Sequence, residues 1–476
     1  MVRDGKISFL DRRTMCIPFG LWLKVITFLQ KNNIQYVVTG TSITELTSNP
    51  IFTPEFIQQF EDKVMMKTMP FKIRDYQMGS LIASLKNRKA ISLLATGAGK
   101  SVLIHYTMQI LRRTQEAKKI LVIVPNISLV GQLYSNIKDD YSYPKIEDES
   151  YLLYGETSKE VKALIDDKYG MDRPFLITTY QSIMRKSDRW FEQWDAVLID
   201  EVHGVSSNGK SLKDISRKCF NAKYKLGYTG TLGENEADKM TTLGYVGPVV
   251  YTVKNKQLQD LGFLSTIDIR NYIIRYDEEF TAEVKGLSYA AEVAKIEANE
   301  ERNKALDEII KEINVGEHTI LLAKHIKHMN LIEEYLKDNF SDKFIIHRID
   351  GGVKGTVRED IRKQMSEAKD NVTHFLIANF QTGATGLNIP NLHHVIFAAS
   401  YKGKIKVLQA IGRGLRKAAG KFNMTLHDMV DDLCDIQGTG RRVNKNAVYK
   451  HYEHRLEHYR GEEFEWTDID IVLSEL

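Results

Sequence analysis

The stretch LLATGAGKS, residues 93–101, contains the end of an apolar run, a glycine-rich turn, and a lysine followed by a serine. In such a turn, consecutive backbone N–H groups point at phosphate oxygens, and the amino terminus of the following helix adds positive potential. The ammonium of Lys100 would reach the terminal phosphates of a nucleotide, and the hydroxyl of Ser101 would ligate Mg²⁺. The stretch therefore predicts a phosphate-binding loop between a strand and a helix.

The loop departs from the strict pattern at Leu94, which stands where a glycine is usual. The alternative interpretation is a glycine-rich turn that happens to precede a lysine. The position of the turn between a strand-like run and a helix-like run favours phosphate binding. The residues predicted to hold the nucleotide are Thr96, Gly97, Ala98, Gly99, Lys100 and Ser101.

Short apolar runs alternate with helical stretches along most of the chain. The first series comprises AISLLA (90–95), KILVIVP (119–125), PFLITTY (174–180), DAVLID (195–200) and YKLGYTG (224–230). The second series comprises TILLA (319–323), FIIHRID (344–350), THFLIA (373–378) and HHVIFAAS (393–400). Strands that are buried on both faces have this composition, and their alternation with helices indicates parallel sheets. The sequence therefore predicts an α/β protein with two tandem parallel-sheet lobes, one over residues 71–240 and one, after a connector, within residues 241–440.

The two ends of the chain differ from these lobes. Residues 1–70 contain two strand-like segments, KISFLD (6–11) and QYVVTG (35–40), which flank a helical apolar stripe. This pattern predicts a small α/β accessory domain. Residues 441–476 are rich in charge and predict a helical C-terminal tail.

Bulk composition limits the class of protein. The 476 residues are 43% hydrophobic and 27% charged, which supports several globular domains. The net charge of +4, from 66 cations and 62 anions, is only mildly basic and does not by itself indicate nucleic acid. The three widely separated cysteines fit a reducing compartment. Because no apolar run approaches the roughly 18 residues of a membrane span, we expect a cytoplasmic protein without membrane association.

A second stretch that predicts catalytic residues is DAVLIDEVHG, residues 195–204. It is an apolar strand that ends in two carboxylates. Asp200 at the strand end would hold the water shell of Mg²⁺, and Glu201 would orient or deprotonate an attacking water. His203 raises the alternative of a zinc site, but that pattern needs two histidines flanking a glutamate on one helix. A solvated strand end is the common alternative for such carboxylates, and the presence of LLATGAGKS argues against it.

A third candidate is QAIGRGLRK, residues 409–417, which follows the strand-like run HHVIFAAS. One interpretation is a basic helix end on a solvated surface. The other is that Arg413 and Arg416 face a polyanion bound by another part of the chain. The stretch alone does not choose between them.

These stretches together resemble the motifs of superfamily 2 helicases and translocases, in that family's order. LLATGAGKS, DEVH (200–203), GYTGT (227–231) and QAIGRGLRK are similar to motifs I, II, III and VI. FKIRDYQ (71–77) is similar to the adenine-recognition motif, VPNISLVGQ (124–132) and ITTYQS (177–182) to motifs along the nucleic-acid track, and IANFQTGATGLNIP (377–390) to motif V. The resemblance covers residues 71–435. Within the superfamily, segments such as RIDGGVKGTVRED (348–360) resemble phage recombination helicases most.

The resemblance implies two RecA-like lobes that use ATP and Mg²⁺. It implies that Arg74 and Gln77 contact the nucleotide, that Ser101 and Asp200 hold the metal, and that motif III couples hydrolysis to motion. The implied catalytic residues are Lys100, Asp200, Glu201, Gln409, Arg413 and Arg416, with Arg416 first as the arginine that stabilises charge on the γ-phosphate. The implied coupling residues are Gly227, Thr229, Gly230 and Thr231.

Nucleic-acid contacts are implied in both lobes, at polar residues that follow strands. They are Pro125, Asn126, Gln132, Thr179 and Gln181 in the first lobe and Lys324, His325, Thr385, Gly386 and Asn388 in the second. Each is weak by itself, because polar residues after strands usually form turns.

The partner that the resemblance implies is branched DNA, a fork or four-way junction, acted on by a monomer whose accessory domain contacts DNA. The alternatives are a helicase acting on RNA or an RNA–DNA hybrid, and the motor subunit of a restriction enzyme. A non-catalytic clamp that uses ATP as a switch is disfavoured by the intact Glu201, Arg413 and Arg416.

Overall fold

The computed structural model describes residues 8–39, 49–143, 145, 149–153, 173–207, 209–233, 235–368, 371–380, 389, 391–418, 421–437 and 441–475. The chain divides into two compact units, residues 1–253 and 254–476. The sequence placed the end of the first lobe at residue 240. The division falls after residue 253 because β7 (Val249–Val253) still belongs to the first sheet. Among the described helices, none combines the length and the apolar character that a membrane crossing requires.

The first unit is built on a parallel sheet of seven strands. They are β1 (Lys89–Leu94), β2 (Ile120–Val124), β3 (Ser150–Leu153), β4 (Phe175–Thr179), β5 (Ala196–Asp200), β6 (Tyr224–Thr229) and β7, in the spatial order β3-β4-β2-β5-β6-β1-β7. Every residue of β2, β4 and β6 is buried, as expected for strands covered on both faces. The first series of apolar runs is thereby confirmed as strands.

Helices of the first unit connect these strands and cover the sheet. They are α1 (Trp22–Lys31), α2 (Pro54–Lys63), α3 (Asp75–Asn87), α4 (Lys100–Arg113), α5 (Ile127–Ser135), α6 (Tyr180–Ile183), α7 (Asp188–Glu192), α8 (Lys210–Lys218) and α9 (Glu236–Val246). α5 continues directly into a π-helical turn, Asn136–Asp140. The parallel connections bring the carboxyl ends of β1, β5 and β6 to one edge of the sheet, where the candidate site lies.

The N-terminal region packs on the first unit, and the two strands predicted there are not formed in its described part. Residues 8–10 and 34–39 are irregular, and the apolar side chain of Val37 is 86% exposed. A strand needs a partner for its backbone groups, and the bridge formed among the described residues of this region is an isolated one, between Asp11 and Cys16. Glu61 of α2, 1% exposed, accepts hydrogen bonds from Ile73 N at 2.7 Å and Tyr106 Oη at 3.0 Å. This helix is therefore anchored to α4 and to the segment that precedes α3.

The second unit repeats the same sheet. Its strands are β8 (Thr266–Arg275), β9 (His318–Ala323), β10 (Ile345–Ile349), β11 (His374–Asn379), β12 (Leu392–Phe397), β13 (Asn423–Asp432) and β16 (Trp466–Val472), in the order β10-β11-β9-β12-β13-β8-β16. A short hairpin joins β14 (Asp435–Gln437) to β15 (Arg441–Val443). The helices are α10 (Asn255–Asp260), α11 (Glu278–Val284), α12 (Tyr289–Glu297), α13 (Glu301–Lys311), α14 (Ile326–Phe340), α15 (Gly355–Ser366), α16 (Lys404–Gly414) and α17 (Ala447–Gly461). The prediction of two parallel-sheet lobes is confirmed.

The C-terminal segment is part of the second unit's core. α17 confirms the predicted helix, but the chain then forms β16, which pairs in parallel with β8 along its whole length. Arg455 of α17 donates to both carboxylate oxygens of Asp428 on β13, at 2.7 and 2.8 Å, and to the carbonyl oxygen of Tyr401 at 2.8 Å. Both members of the ion pair are buried. The segment therefore completes the second sheet.

Candidate functional site

The glycine-rich turn has the backbone that its sequence predicts. Gly97 and Gly99 have φ values of +84° and +81°, in the left-handed region that favours glycine. A Cβ atom on Gly99 would also lie 2.4 Å from Nε2 of Gln77. α4 begins at Lys100, directly after the turn. The turn therefore presents backbone N–H groups at a helix amino terminus, which is the arrangement that binds phosphate.

Gln77 holds this turn from the side. Its Nε2 donates to the carbonyl oxygen of Ala98 at 2.9 Å, and its Oε1 accepts from the backbone N of Arg74 at 2.9 Å. The hydroxyl of Tyr76 donates to the same Ala98 oxygen at 3.0 Å and accepts from the guanidinium of Arg74 at 2.9 Å. The structure thus brings Arg74 and Gln77 to the loop. Tyr76 was missed by the sequence reasoning, although it stands next to Gln77 in FKIRDYQ.

Lys100 links the turn to the carboxylates at the end of β5. Its Nζ lies 3.5 Å from the carbonyl oxygen of Leu94 and 3.9 Å from Oε1 of Glu201. Both side chains are mostly buried, at 14% and 19% exposure, so their charges interact with little screening from solvent. Motifs separated by a hundred residues of sequence are therefore adjacent in space.

The two carboxylates have different environments. Burial, together with the charge of Glu201, raises the pKa of Asp200, and Oδ1 of Asp200 is buried without a hydrogen-bond partner among the described residues. Burial also opposes ionisation of Glu201, but the Lys100 ammonium, followed by His203, lowers its pKa. Glu201 has a φ of +50°, an uncommon backbone conformation for a residue with a side chain. Such strain is found mostly at functional sites.

These residues fit a bound Mg²⁺. An orphaned, buried carboxylate oxygen on Asp200 is costly unless a cation or water satisfies it. Carboxylate and hydroxyl oxygens are the hard ligands that Mg²⁺ prefers. Asp200, with Ser101 on the first turn of α4, is the donor set that would hold the metal.

Motif III contacts motif II through hydrogen bonds. Oγ1 of Thr229, which is fully buried, lies 3.1 Å from Oε2 of Glu201, 2.8 Å from Nδ1 of His203 and 2.9 Å from the carbonyl oxygen of Thr231. A Cβ atom on Gly227 would lie 2.7 Å from Cγ2 of Val202, so a glycine is needed for β6 to pack against the segment after Glu201. Gly230 follows at the end of β6 and has no such restriction. Thr229 is thus in direct contact with the proposed catalytic carboxylate.

The basic stretch of the second unit lies at the end of α16. Gln409 and Arg413 are half-buried on this helix, and Arg416 follows it, also half-buried. Burial lowers the pKa of Arg416. The ammonium of Lys421 donates to the carbonyl oxygens of Gly414 and, at 3.0 Å, Arg416. These contacts fix the backbone of the arginine-bearing segment.

A close contact also explains one glycine of this stretch. A Cβ atom on Gly414 would lie 2.8 Å from Cγ of Met424 and 3.0 Å from Cγ2 of Val395. The end of α16 therefore packs tightly on β12 and β13. Arg413 and Arg416 are consequently held on a rigid part of the second unit.

The predicted nucleic-acid contacts of the first unit have mixed environments. Oδ1 of Asn126 caps α5 by accepting from Leu129 N at 3.0 Å, which is a structural role. Pro125 and Gln132 are half-buried, and Gln181 is exposed. Thr179 is only 2% exposed, and its hydroxyl lies 3.1 Å from that of Ser182.

In the second unit, two of the predicted contacts follow β9. Lys324 donates to the hydroxyl of Tyr289 at 3.3 Å, and Nδ1 of His325 lies 2.6 Å from Oε2 of Glu297. His325 remains about half exposed. The other three predicted contacts, Thr385, Gly386 and Asn388, lie outside the described residues.

Comparison with known proteins agrees with this geometry. Residues 70–234 match the family "Type III restriction enzyme, res subunit", and residues 301–418 match "Helicase conserved C-terminal domain". Each match falls within one of the two units.

Individual proteins resemble the chain to different extents. The ATP-dependent DNA helicase uvsW of Enterobacteria phage T4 is 28% identical over 472 residues, which cover 98% of this chain and 89% of that protein. The DNA 3'-5' translocase XPB2 of Sulfurisphaera tokodaii is 23% identical over 380 residues, covering 73% and 79% of the two chains. The structure of the ATP-dependent Type ISP restriction-modification enzyme LlaBIII bound to DNA superposes with a TM-score of 0.64 at 16% identity, covering 84% of this chain and 31% of that one. This last likeness concerns the fold alone.

The fold and the site together define an ATP-hydrolysing enzyme with two RecA-like units, of which the first carries the phosphate-binding loop. The two family matches specify the class further. The chain belongs to superfamily 2 of the helicases and translocases.

Proposed function

We propose that this enzyme is a DNA helicase or translocase that remodels branched DNA by branch migration, fork regression and unwinding, in phage replication, recombination and repair. The observation that carries the proposal is the extent of the similarity to the phage T4 DNA helicase, which spans 98% of this chain. The similarity to the archaeal DNA translocase spans only 73%. The similarity to the phage enzyme thus extends further beyond the common motor, to regions that would select the substrate.

In the proposed reaction, the turn around Gly99 and the ammonium of Lys100 hold the phosphates of ATP. Asp200 and Ser101 would hold Mg²⁺, which would supply positive charge to neutralise the phosphates. Glu201 stays ionised because Lys100 lowers its pKa. A carboxylate with a low pKa is a weak base, so we assign Glu201 to orient the attacking water.

Thr229 would transmit changes at the Glu201 carboxylate to the rest of motif III. A hydroxyl has one hydrogen, so Thr229 can donate to Glu201 or to the carbonyl oxygen of Thr231, but not to both. A change at the Glu201 carboxylate during hydrolysis would therefore change the bonding of residues 229–231. This choice of acceptor supports the proposed coupling role of motif III.

Arg416, with Arg413 and Gln409, would complete the reaction from the second unit. Charge that develops on the γ-phosphate needs cations beyond Lys100, and an arginine supplied in this way contributes about 10³ to 10⁵ in rate. Because Arg416 is half-buried, water would screen its charge less than that of an exposed cation. ATP binding and hydrolysis would then be coupled to motion of the two units.

DNA would be held through its backbone, without sequence preference. The candidate contacts are the residues after strands, among which Gln181 and His325 are the most accessible of those described. Asn126 and Thr179 would act mainly through backbone N–H groups, because their side chains already have local partners. The N-terminal region, with Arg12 and Arg13 exposed, would contact duplex arms.

A panel of labelled substrates tests the proposal. It comprises a linear duplex, a tailed duplex, a fork, a four-way junction and an RNA–DNA hybrid, each with ATP and with wild-type or Lys100→Ala protein. We expect the fork and the junction to be processed fastest, and none to be processed by Lys100→Ala. Preferential unwinding of the hybrid would instead favour the RNA alternative.

The family match to a restriction-enzyme subunit supports a second candidate, translocation along duplex DNA without strand separation. Displacement of a third strand from a linear duplex measures this activity directly. If linear duplex supports triplex displacement as fast as the junction is migrated, the branched-DNA proposal is wrong and the translocase candidate is favoured.

A further inference from the structure

A tyrosine outside the recognised motifs contacts the predicted metal-binding serine. The hydroxyl of Tyr141 lies 2.8 Å from Oγ of Ser101, on the first turn of α4. Tyr141 is 4% exposed, whereas Ser101 is half-buried at the edge of the candidate ATP site. The contact joins residues 40 positions apart in the sequence, so it results from the fold.

The backbone before Tyr141 is unusual. α5 continues into the π-helical turn Asn136–Asp140, and the N–H of Tyr141 donates to the carbonyl oxygen of Asn136 at 2.8 Å. A π-turn contains one residue more than an α-turn, is energetically less favourable, and occurs frequently at functional sites. Here it ends at Tyr141, whose side chain reaches α4.

Aromatic packing fixes the ring of Tyr141. Its centroid lies 5.3 Å from that of His105 and 6.0 Å from that of Phe71. Neither ring nitrogen of His105 has a hydrogen-bond partner among the described residues, so the neighbouring imidazole does not compete for the Tyr141 hydroxyl. The side-chain partners of the hydroxyl are Ser101 and, from the π-helical turn, Asn136.

The chemistry of a serine ligand explains why such a partner is useful. A serine that binds a cation uses an oxygen lone pair, and its hydroxyl hydrogen then needs an acceptor elsewhere. The hydroxyl oxygen of Tyr141 can be that acceptor, which would turn the free lone pairs of Ser101 towards the metal. Groups that orient metal ligands in this way commonly affect metal affinity or activity by about 10- to 100-fold.

We propose that Tyr141 is a positioning residue for Mg²⁺–ATP, acting through the hydroxyl of Ser101. The inference rests on the proposed function only in taking Ser101 as a Mg²⁺ ligand. It does not depend on which nucleic acid the enzyme remodels.

Tyr143 offers a matched control. It is also buried, at 6% exposure, and its ring packs against His105 at 5.8 Å, but its hydroxyl bonds to Glu149 at 2.5 Å. Tyr141→Phe and Tyr143→Phe each remove one buried hydroxyl from the same aromatic cluster. Only the first removes a partner of Ser101.

The test measures binding of a fluorescent, non-hydrolysable ATP analogue to the full chain by anisotropy, in EDTA and across a MgCl₂ titration. We expect Tyr141→Phe to leave the affinity in EDTA unchanged and to raise the Mg²⁺ concentration for half-maximal enhancement by about tenfold. Tyr143→Phe should behave as the wild type. Thermal melts of both variants report on folding.

A double mutant completes the experiment. In a Ser101→Ala background, where the enhancement by Mg²⁺ should be reduced, adding Tyr141→Phe should have no further effect. The proposal is overturned if Tyr141→Phe titrates as the wild type, if Tyr143→Phe shifts the titration equally, or if Ser101→Ala keeps the wild-type Mg²⁺ dependence. None of these binding measurements involves DNA, so failure of the branched-DNA proposal would leave the result intact.

Discussion

The sheets of the two units have the same strand order, but the predicted nucleotide-binding residues of the loop lie in the first unit. If the strands of each seven-stranded sheet are numbered separately along the chain, both sheets have the order 3-4-2-5-6-1-7. In the first unit, the turn after the first strand is the glycine-rich loop, and the fifth strand ends in Asp200. In the second unit, the turn after the first strand, β8, has no such loop. Shared topology therefore does not determine whether a unit binds a nucleotide.

The difference lies in how charges are paired at the carboxyl ends of the strands. In the first unit, Asp200 has a buried oxygen without a partner among the described residues. In the second unit, Arg302 of α13 contacts both oxygens of Asp431 on β13, at 2.6 and 3.1 Å, and the hydroxyl of Tyr276 adds a hydrogen bond at 2.7 Å. Arg302 also donates to the carbonyl oxygen of Ala398 after β12, at 3.0 Å. A carboxylate that is already paired in this way is not available to a metal, whereas the first unit leaves one available.

The largest effect should follow from removing the lysine that distinguishes the first unit. Lys100→Ala should reduce ATP hydrolysis to background while leaving DNA binding largely intact, because the ammonium acts on the phosphates. Phosphate release and DNA binding by anisotropy measure the two properties. Lys256→Ala, which removes an exposed lysine paired with Asp260, is the control. Turnover near the wild-type rate by a folded Lys100→Ala protein would contradict the assignment.

The second unit should still contribute to the same reaction. Arg416→Ala should lower kcat by about 10³-fold with ATP affinity changed little, because the arginine acts on charge that appears in the transition state. Steady-state kinetics at saturating DNA measure this separation. Lys417→Ala is the matched control, since Lys417 is the neighbouring exposed cation. If both variants only weaken DNA binding, the stretch is a basic surface. The second unit would then contribute no catalytic arginine to ATP hydrolysis.

The buried ion pair between Arg302 and Asp431 should be important for the stability of the second unit. Asp431→Asn leaves the buried Arg302 charge without its full partner, which should cost about 3–5 kcal/mol of unfolding free energy. Asp470→Asn is the control, because its pair with Arg275 on the same sheet is exposed, at 62% and 35%, and an exposed pair contributes about 1 kcal/mol or less. Denaturant unfolding gives the stabilities, and binding of the ATP analogue shows whether the first unit is intact. Equal destabilisation by the two variants would argue against a special role for the buried pair.

Prediction from the sequence was most successful where a short motif determines its own backbone conformation. Gly97, Gly99 and Lys100 adopt the predicted turn because glycine permits the left-handed conformation locally. It failed where a partner was needed: the segment before residue 40 has apolar alternation but no described neighbouring strand. β16 was missed because its acidic residues obscured the apolar alternation of Ile469 and Ile471. These two side chains pack on the core of the second unit. Tyr141 could not be found, because its contact with Ser101 depends on a π-helical turn that has no known local sequence signal.

The last prediction concerns a row of histidines that crosses only the second sheet. His347, His374, His318, His394 and His427 lie on the five adjacent strands β10, β11, β9, β12 and β13. Two pairs within the row are at hydrogen-bond distance. The ring nitrogens of His347 and His374 are 2.8 Å apart, and those of His394 and His427 are 2.9 Å apart. Burial lowers the pKa of His318 and of His347 to about 4. The first unit has only His105 and His203, and neither lies on a strand.

The sign of the pH effect follows from these pKa values. Unfolded histidines titrate near the ordinary pKa of about 6.5, so between that pH and about 4 the unfolded chain binds more protons than the folded one. The stability that neutral His318 and His347 contribute is therefore complete above about pH 6.5 and decreases as the pH falls towards 4. Hydrogen exchange followed by mass spectrometry at pH 7 and pH 5, corrected for intrinsic rates, resolves the two sheets separately. We expect peptides from β9 and β11 to lose protection at pH 5 before peptides from β2 and β5, although His105, whose pKa burial lowers to about 3, gives the first unit some of the same sensitivity. If both sheets lose protection together, the histidine row is not what distinguishes the units in acid.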